Sequence, residues 1–140
     1  MKAIHLGGWV YYIDEHAEQI DKDRCGKWMY FFSDLGRAEK VCREAVEEGI
    51  VTQAKHSEEL GVDGQGVCCF YLDGDDIEAH KRVIRFFLRN DMIQKTKTGR
   101  LYNISFKYDN QTRAGEYGKQ FEGRIRLDRF LDLTTGEWKL

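Results

Sequence analysis

The chain has 140 residues, of which 41% are hydrophobic and 33% are charged. This length and composition predict one globular domain, residues 1–140, and are too rich in aromatic side chains for an intrinsically disordered protein. Proline is absent, which excludes proline-rich linkers and PxxP ligands. The formal net charge is only −2, so the overall charge by itself points to no class of partner.

The first half of the chain predicts three strands and one helix. Residues 9–13 and 27–32 are short apolar and aromatic runs, which are typical of strands. Ser33 offers a side-chain oxygen to cap a helix that Gly49 ends, because glycine readily adopts the left-handed conformation. Residues 50–57 begin with β-branched side chains and predict a further strand. The apolar stripe of the predicted helix consists of Leu35, Ala38, Val41, Cys42, Ala45 and Val46.

The second half predicts three more strands and a second helix. Residues 67–72 follow strand 50–57 after a loop too short for a parallel crossover, so the two strands should pair antiparallel. Asp76 caps the second helix, and residues 101–107 and 123–130 alternate as strands. The helix carries the apolar stripe Ile77, His80, Val83, Ile84, Phe87 and Leu88. The sequence therefore predicts an α+β fold, a curved antiparallel β-sheet backed on one face by two to three helices.

The N-terminal residues and the cysteines indicate the cellular compartment of the protein. Residues 1–13 lack the features of a signal peptide, and no apolar stretch is long enough to span a membrane, so we expect a cytoplasmic protein without membrane contact. Cys25 and Cys42 stand alone, and no spacing typical of a zinc site is present. Cys68 and Cys69 are adjacent, so on a strand they point to opposite faces. We interpret the cysteines as reduced, buried thiols and expect neither a metal nor a cofactor.

The charge is unevenly distributed along the chain. Residues 1–80 hold 8 basic and 17 acidic residues, a balance of −9, whereas residues 81–140 hold 14 basic and 7 acidic residues, a balance of +7. Arg124 and Arg126 lie two apart on a predicted strand and share one face, which Lys107 joins if its strand is the neighbour. Such a basic patch would bind phosphate, with tyrosines stacking on bases. The alternative is a solvated face that pairs with the acidic half of the chain.

A glycine-containing segment, residues 107–118, is a candidate anion site. Asp109 is suited to cap a short helical turn, and Gly115 and Gly118 permit a close approach of the backbone. The N–H groups of such a turn would face an anion. An ordinary glycine turn is the alternative. Cationic and hydroxyl side chains around the turn are Lys107, Thr112, Arg113 and Lys119.

The run Lys55-His56-Ser57 is another candidate site. On a strand, Lys55 and Ser57 share a face and His56 points to the other. A lysine base and a histidine acid suit an elimination reaction, although neighbouring strand residues do not readily act on one atom together. His80 lies on the apolar stripe of the second helix, so we interpret it as a core histidine.

Tryptophans and a run of acidic residues offer two further hypotheses. Trp9, Trp28 and Trp138 would form a stacking clamp for a base, with core packing as the alternative for Trp28. The acidic residues among 73–76 suggest a metal, but helix capping explains Asp76 without one. The sequence has no GxSxG, HExxH, P-loop or GxGxxG motif, so it carries no signature of catalysis.

Four short motifs occur in an order that resembles a known family. They are GKWMYFF at residues 26–32, AKHS at 54–57, VCCFYLD at 67–73 and KYDNQTRAGEY at 107–117. Together they are similar to the basophilic-leukaemia-expressed protein family, whose fold resembles the cap-binding translation initiation factor 4E. The resemblance implies a curved antiparallel sheet with a concave basic face for phosphates. Cap binding uses a second tryptophan, which residues 33–37 lack after Trp28, so the resemblance does not imply cap binding. Some bacterial members carry a label of phosphothreonine lyase.

From the residues and the resemblance we expect a non-enzymatic binding protein that recognises a phosphorylated, nucleotide-like ligand or short RNA on a concave basic face. One alternative is a protein-interaction module, such as an inhibitor or immunity-type protein, that uses its charge-asymmetric surface. Another is a phosphothreonine-lyase-like or other enzyme that acts on a phosphorylated substrate through Lys55 and His56. We expect Tyr108 or Tyr117 to stack on the ligand. The expected phosphate contacts are Lys55, Lys107, Arg113, Lys119, Arg124 and Arg126.

Overall fold

The computed structural model describes residues 1–109 and 125–139. Within these residues the chain forms strands and helices that together make an α+β fold, which confirms the predicted fold class. In chain order they are β1 (Lys2–Leu6), β2 (Trp9–Ile13), β3 (Cys25–Phe32), α1 (Leu35–Glu47), β4 (Gln53–Ser57), β5 (Gly66–Asp73), α2 (Ile77–Arg89), β6 (Ser105–Tyr108), β7 (Ile125–Arg126) and a 3-10 helix (Leu127–Arg129).

The strands form one sheet in the order β1-β2-β4-β5-β3-β6-β7. Every neighbouring pair is antiparallel, including β4 and β5, as the short loop between them predicts. The sheet is not closed into a barrel, since β1 and β7 are its two edges. No helix among the described residues is long and apolar enough to cross a membrane.

Helices α1 and α2 pack on the same face of the sheet. The ring of Phe70 on β5 lies 5.2 Å from that of Phe87 on α2, and Arg43 of α1 lies 5.4 Å from the ring of Tyr12 on β2. Tyr12 and Phe70 share a face because both pair in register with Ala54 of β4. We call this the helix face of the sheet and the opposite one the far face.

The hydrophobic core lies between the helix face and the two helices. Trp28, at the centre of β3, is completely buried, and its ring centroid lies 5.8 Å from those of Phe106 and His80. Full burial of a large apolar side chain contributes about 1.5–3 kcal/mol. The prediction that Trp28 packs in the core is therefore confirmed.

The ends of both helices agree with the sequence prediction, except for the residue that caps the start of α1. Asp76 caps α2 as predicted, since its Oδ1 accepts a hydrogen bond of 3.1 Å from Ala79 N–H. Gly49, which follows the C-cap residue Glu48, has a φ of +73°. This is the left-handed conformation in which glycine commonly ends a helix. At the start of α1, however, Asp34 and not Ser33 is the cap, because its Oδ1 accepts from Gly36 N–H at 2.9 Å.

Three predicted strands differ from the structure by more than two residues at one end. Strand β4 begins at Gln53 rather than at residue 50, because Ile50 and Val51 donate their N–H groups to Ala45 O and finish the end of α1. Strand β6 begins at Ser105 rather than at residue 101, because Leu101 N–H bonds to Leu133 O outside the sheet.

Strand β7 ends at Arg126 instead of residue 130, since Leu127 begins a 3-10 helix and donates its N–H to Ile104 O. The predicted start of this strand, residues 123 and 124, lies outside the described residues.

The sequence prediction missed β1 altogether. Gly7 and Gly8 both have positive φ, +60° and +84°, which is the conformation of a tight two-residue hairpin turn. The turn folds β1 back onto β2, so that Leu6 pairs with Trp9. The Gly-Gly pair before the apolar run 9–13 was therefore the available signal for a hairpin.

Candidate functional site

Three lysines lie on the far face of the sheet. Lys55 follows Ala54 on β4, Lys27 precedes the buried Trp28 on β3, and Lys107 follows Phe106 on β6. The three neighbours are buried on the helix face. Because successive side chains of a strand alternate, all three lysines point to the far face. We call Lys27, Lys55 and Lys107 the lysine cluster.

Tyr71 of β5 connects two members of the lysine cluster. Its ring centroid lies 5.7 Å from Lys27 Nζ and 5.9 Å from Lys55 Nζ. Lys27 is also the register partner of Lys107 on β6. The far face therefore gathers three ammonium groups across four strands, from β4 to β6.

Lys55 is enclosed by aromatic rings. Its Nζ lies 4.0 Å from the ring centroid of Trp9 and 5.5 Å from that of Tyr11, in addition to Tyr71. Contact with a ring face stabilises an ammonium ion. Burial acts in the opposite direction and lowers the pKa of Lys55, and the positive charge of Lys27 lowers it further, while Cys69 and Asp109 raise it.

The members of the cluster differ in their carboxylate partners. Lys27 Nζ lies 2.9 Å from Asp109 Oδ1, and this pair is mostly shielded from solvent, with side-chain exposures of 14% and 29%. Lys55 forms no ion pair with any carboxylate of residues 1–109 and 125–139. Lys107 lies next to Lys27, and burial followed by the charge of Lys27 lowers its pKa. Asp109 thus offsets the positive charge of Lys27.

Two other titratable groups on the far face do not offset that charge. Cys69 is the register partner of Lys55, and burial raises the pKa of its thiol to about 11, although Lys55 lowers it. Burial likewise raises the pKa of Tyr71. Both groups are neutral at pH 7, so neither of them offsets the positive charge of the lysine cluster.

A pocket of about 350 Å³ adjoins the cluster at one end of the sheet. Asp109, which pairs with Lys27, lines this pocket, and so does Gln53, the register partner of Tyr71. The segment between β2 and β3 forms its other wall, with Ala17 and Ile20 among the lining residues.

The structure brings together some of the residues that the sequence predicted for the site. Lys55 and Lys107 belong to the lysine cluster. Arg126 is exposed and pairs with Ser105 of β6, which shares a face with Lys107, so Arg126 is on the far face near the edge of the sheet. The other predicted phosphate contacts, together with Tyr117, lie outside the described residues: Arg113, Lys119 and Arg124.

Tyr108 does not join the cluster. It alternates with Lys107 and points to the helix face, where its ring centroid lies 5.1 Å from that of Phe106. It also packs so closely on the backbone of Gly74 that a Cβ at this position would collide with the Tyr108 ring. The aromatic side chains near Lys55 are instead Trp9, Tyr11 and Tyr71.

The sequence prediction missed Lys27 as a site residue. Lys27 lies within the acidic half of the chain, residues 1–80, and inside an apolar strand. The predicted basic patch was instead based on the positive balance of residues 81–140. The available signal was its position next to Trp28, because a lysine beside a core tryptophan on a strand must point away from the core.

Lys55 and His56 lie on opposite faces, as predicted. His56 is buried on the helix face, with its Nε2 3.1 Å from Tyr12 Oη and its Nδ1 2.8 Å from the carbonyl oxygen of Ser57. Two side chains separated by the sheet do not act on the same atom of a substrate. The arrangement therefore offers no joint acid–base chemistry for this pair.

His80 is a core histidine, as predicted. Trp28 Nε1–H donates to His80 Nδ1 at 3.0 Å, so Nε2 carries the proton and donates to Gly74 O at 2.9 Å. Burial lowers the pKa of His80, although the bond to Gly74 raises it. Both ring nitrogens are thus satisfied by a neutral imidazole.

The three tryptophans do not form a clamp, so that hypothesis is wrong. Trp28 is in the core on the helix face, and Trp9 is on the far face beside Lys55. Trp138 is near α2, where the Arg85 guanidinium lies 5.4 Å from its ring. The sheet separates Trp28 from any ligand on the far face.

The acidic run after β5 is engaged in local contacts. Asp73 accepts a hydrogen bond of 2.9 Å from Arg24 Nε and another of 2.9 Å from Asp75 N–H, and Asp76 caps α2. Among residues 1–109 and 125–139, no three His, Cys, Asp or Glu side chains are grouped as metal ligands.

The cysteines form no disulfide, and Cys42, Cys68 and Cys69 are buried. Cys68 and Cys69 point to opposite faces, as their pairing with His56 and Lys55 shows.

No protein-family model and no curated protein matches the chain. A functional assignment therefore rests on the geometry of the far face.

Proposed function

We propose that the protein is a non-enzymatic binding protein that holds a phosphorylated, nucleotide-like ligand on the far face, with Lys27, Lys55 and Lys107 as phosphate contacts. The observation that carries this proposal is the half-buried ammonium group of Lys55, which lacks a carboxylate partner among the described residues. Buried charges in proteins are normally paired. A phosphate group would supply the missing negative charge.

The charge around Lys55 supports an anion rather than a cation as the ligand. Lys55 forms no ion pair within residues 1–109 and 125–139, and Lys27 and Lys107 add positive charge on the same face, where Asp109 is bonded to Lys27. Charge-assisted hydrogen bonds from ammonium groups to phosphate are about twice as strong as neutral ones. Arg126 extends the positive charge along the same face toward β7.

The rings around Lys55 support a ligand with a planar part. Trp9 and Tyr11 are partly exposed, so they offer apolar surface beside the proposed phosphate position. Stacking on such rings contributes about 1–3 kcal/mol per base. Because Lys55 occupies one face of Trp9 at 4.0 Å, a planar ligand would pack on Tyr11 or on the remaining surface of Trp9.

We also infer a fold of the initiation factor 4E kind, as the resemblance to the basophilic-leukaemia-expressed family implies. An open antiparallel sheet with α1 and α2 on one face supports this inference. In the proposal the ligand then lies on the face opposite those helices.

A thermal-shift panel tests the proposed function. Inorganic phosphate, nucleoside mono- and triphosphates and a short RNA are added at low salt, since phosphate binding by lysines weakens as salt rises. At 100 times its dissociation constant, a ligand stabilises the folded state by about 2.7 kcal/mol. We expect Lys55→Met to remove this stabilisation, whereas Lys40→Met, an exposed change on α1, should retain it.

The panel has a clear negative outcome. If no phosphorylated compound raises the melting temperature at low salt, the proposed function is wrong. If the RNA alone stabilises the protein, the ligand is a nucleic acid strand rather than a free nucleotide.

A second candidate function, a protein-interaction module, is favoured by the edge strand β1. Its residues are exposed or half-buried, and Leu6 is 67% exposed. An exposed edge strand is a template for pairing with another chain. A partner captured by the wild-type chain but not by Ala3→Pro, which would remove a backbone donor that points away from β2, would support this candidate.

A further inference from the structure

Strand β1 is one of the two edges of the sheet and pairs only with β2 among the described strands. Four of its five side chains are exposed, and Ile4 at its centre is half-buried. Leu6 is 67% exposed, and Met1, directly before the strand, is 42% exposed. An edge of this kind offers a row of backbone donors and acceptors to another strand.

The turn after β1 determines which of its backbone groups point outward. Gly7 and Gly8 form a two-residue turn, so the flanking residues Leu6 and Trp9 form a hydrogen-bonded pair. Hydrogen-bonded and non-hydrogen-bonded pairs alternate along antiparallel strands. Ala3 and His5 therefore direct their N–H and C=O groups away from β2, where they have no backbone partner among residues 1–109 and 125–139.

The features that protect edge strands in natural proteins are missing from β1. The strand contains no proline, and its register with β2 runs through all five residues without a bulge. Its one lysine, Lys2, is at its first residue. The opposite edge, β7, is described for two residues before a 3-10 helix begins. Among the described edges, the strand that can match the full length of β1 is therefore β1 of a second copy.

We propose that β1 pairs antiparallel with β1 of a second copy of this chain, about a two-fold axis at Ile4. The sheets of the two copies then continue into each other. This inference rests on the second candidate function, since both use the β1 edge, and it names the partner. A two-fold contact of one edge with itself closes after two copies, so it produces a dimer rather than a filament.

The residues of β1 are compatible with this register. Pairing about Ile4 places Ala3 opposite His5 of the second copy, and both residues carry outward N–H and C=O groups, so they form the hydrogen-bonded pairs. Lys2 lies opposite Leu6 of the second copy, so no two like charges face each other. The two Ile4 side chains meet at the axis as an apolar, β-branched pair. A shift by two residues in either direction would leave part of β1 unpaired.

Disulfide trapping on the full chain tests this register. Residues opposite each other in a non-hydrogen-bonded pair have Cα atoms about 4.5 Å apart, which is within the range that a disulfide spans. Ile4→Cys should therefore form a disulfide between two copies under mild oxidation. In the matched control, Leu6→Cys, the two thiols would be four residues apart along the strands, about 14 Å, which is too far for a disulfide.

Random collision between copies predicts the opposite order of reactivity, because Leu6 is more exposed than the half-buried Ile4. We expect Ile4→Cys to cross-link about tenfold faster than Leu6→Cys, since pairing raises the effective concentration of its thiols. Peptide mass spectrometry then shows whether the bond joins position 4 of both copies rather than the half-buried Cys25. Cross-linking of Leu6→Cys as fast as that of Ile4→Cys would overturn the register.

Analytical ultracentrifugation tests the dimer without any cross-link. The contact joins two five-residue strands, and small interfaces are weak, so we expect the average mass of the wild-type chain to rise with concentration toward that of two copies. Ala3→Pro should remain monomeric because it removes an outward N–H group and leaves the bonds to β2 intact. Lys40→Met, an exposed change on α1, should dimerise like the wild type.

The outcomes separate this inference from the second candidate function. If the wild-type chain stays monomeric up to its solubility limit, or if Ala3→Pro dimerises like the wild type, the inference is overturned. A monomeric wild-type chain that captures another protein through β1 would leave the second candidate in place. The trapping result for Ile4→Cys does not depend on whether Ala3→Pro folds, and no cross-link at position 4 would also overturn the inference.

Discussion

On the helix face of the sheet, His56 and His80 are buried with both ring nitrogens in hydrogen bonds. On the far face, Lys55 is half-buried among aromatic rings and forms no ion pair within residues 1–109 and 125–139. Lys55 and His56 are adjacent residues of the same strand, β4. The two faces therefore differ in what surrounds their polar groups, which is hydrogen-bond partners within the protein for the two histidines and aromatic rings with partial exposure to solvent for Lys55.

This difference separates groups that serve stability from groups available for binding. Among the described residues, no buried side-chain nitrogen or oxygen lacks a hydrogen-bond partner, as is normal for a stable core. Side chains whose donors and acceptors are all bonded within the protein have none left to bind a ligand. A shielded cation without a carboxylate destabilises the chain on its own and gains most from an anion. Substitutions on the two faces should therefore affect different properties.

The largest effect should come from the core tryptophan. Trp28→Ala removes a completely buried side chain, and such a change costs about 3–5 kcal/mol of unfolding free energy. Urea unfolding measures this cost. The matched control is Trp9→Ala on the far face, for which we expect a loss below about 1 kcal/mol because Trp9 is partly exposed. Equal losses for the two tryptophans would contradict the assignment of the two faces.

The next largest effect should come from His80. His80→Phe leaves Trp28 Nε1–H and Gly74 O without partners, and each unsatisfied group costs about 1–3 kcal/mol. The wild-type chain should also lose stability as the pH falls below 6.5, the ordinary pKa of histidine, because burial lowers the pKa of His80 in the folded state. The unfolded chain then binds the proton first.

The pH dependence separates His80 from the other titrating groups. Unfolding free energies of wild type and His80→Phe are measured from pH 8 down to about pH 5. The difference between them should shrink as the pH falls. A constant difference across this range would show that His80 does not titrate differently in the folded and unfolded states.

A smaller effect should distinguish the two residues at the start of α1. Asp34→Ala removes the side-chain oxygen that accepts from Gly36 N–H, and the loss of such a cap costs about 1 kcal/mol. Ser33→Ala should change the unfolding free energy by less than about 0.5 kcal/mol. Thermal unfolding of both variants measures the difference, and a larger loss for Ser33→Ala would restore the original prediction of the cap.

The smallest effect on stability should come from Lys55→Met. This change removes a half-buried charge without a carboxylate partner in the described residues and retains an apolar stem beside Trp9. We expect the ligand-free unfolding free energy to stay within about 0.5 kcal/mol of wild type, or to rise. Calorimetry without ligand measures it. A loss above about 2 kcal/mol would mean that Lys55 is a structural residue, as a broken buried ion pair would be.

Much of the fold could be predicted from the periodicity of the apolar residues. The amphipathic spacing of α2, its cap at Asp76 and the glycine after α1 each depend on a few neighbouring residues, so the local sequence predicts them. The ends of the strands were harder to predict from the sequence. Ile50 and Val51 have a strong preference for strands, but their N–H groups bond to Ala45 O at the end of α1. Tertiary structure overrides such preferences.

The candidate site could be predicted from the sequence only in part. The sequence predicted that Lys55 points away from His56 and that Lys107 contributes positive charge. It did not predict the contact of Lys27 with Asp109, which joins residues 82 positions apart. The strand order that places β3 between β5 and β6 creates this contact. Strand order depends on long-range pairing, which local patterns do not specify.

The most direct test of the central claim is a titration of the lysine side chains, observed by NMR, with a nucleoside monophosphate at low salt. We expect saturable shifts of the Lys27, Lys55 and Lys107 signals and no comparable shift of Lys40, which is exposed on α1. Nonspecific attraction would instead move all exposed lysines together and without saturation. Saturable binding that leaves the Lys55 signal unchanged would contradict the assignment of the site to the far face.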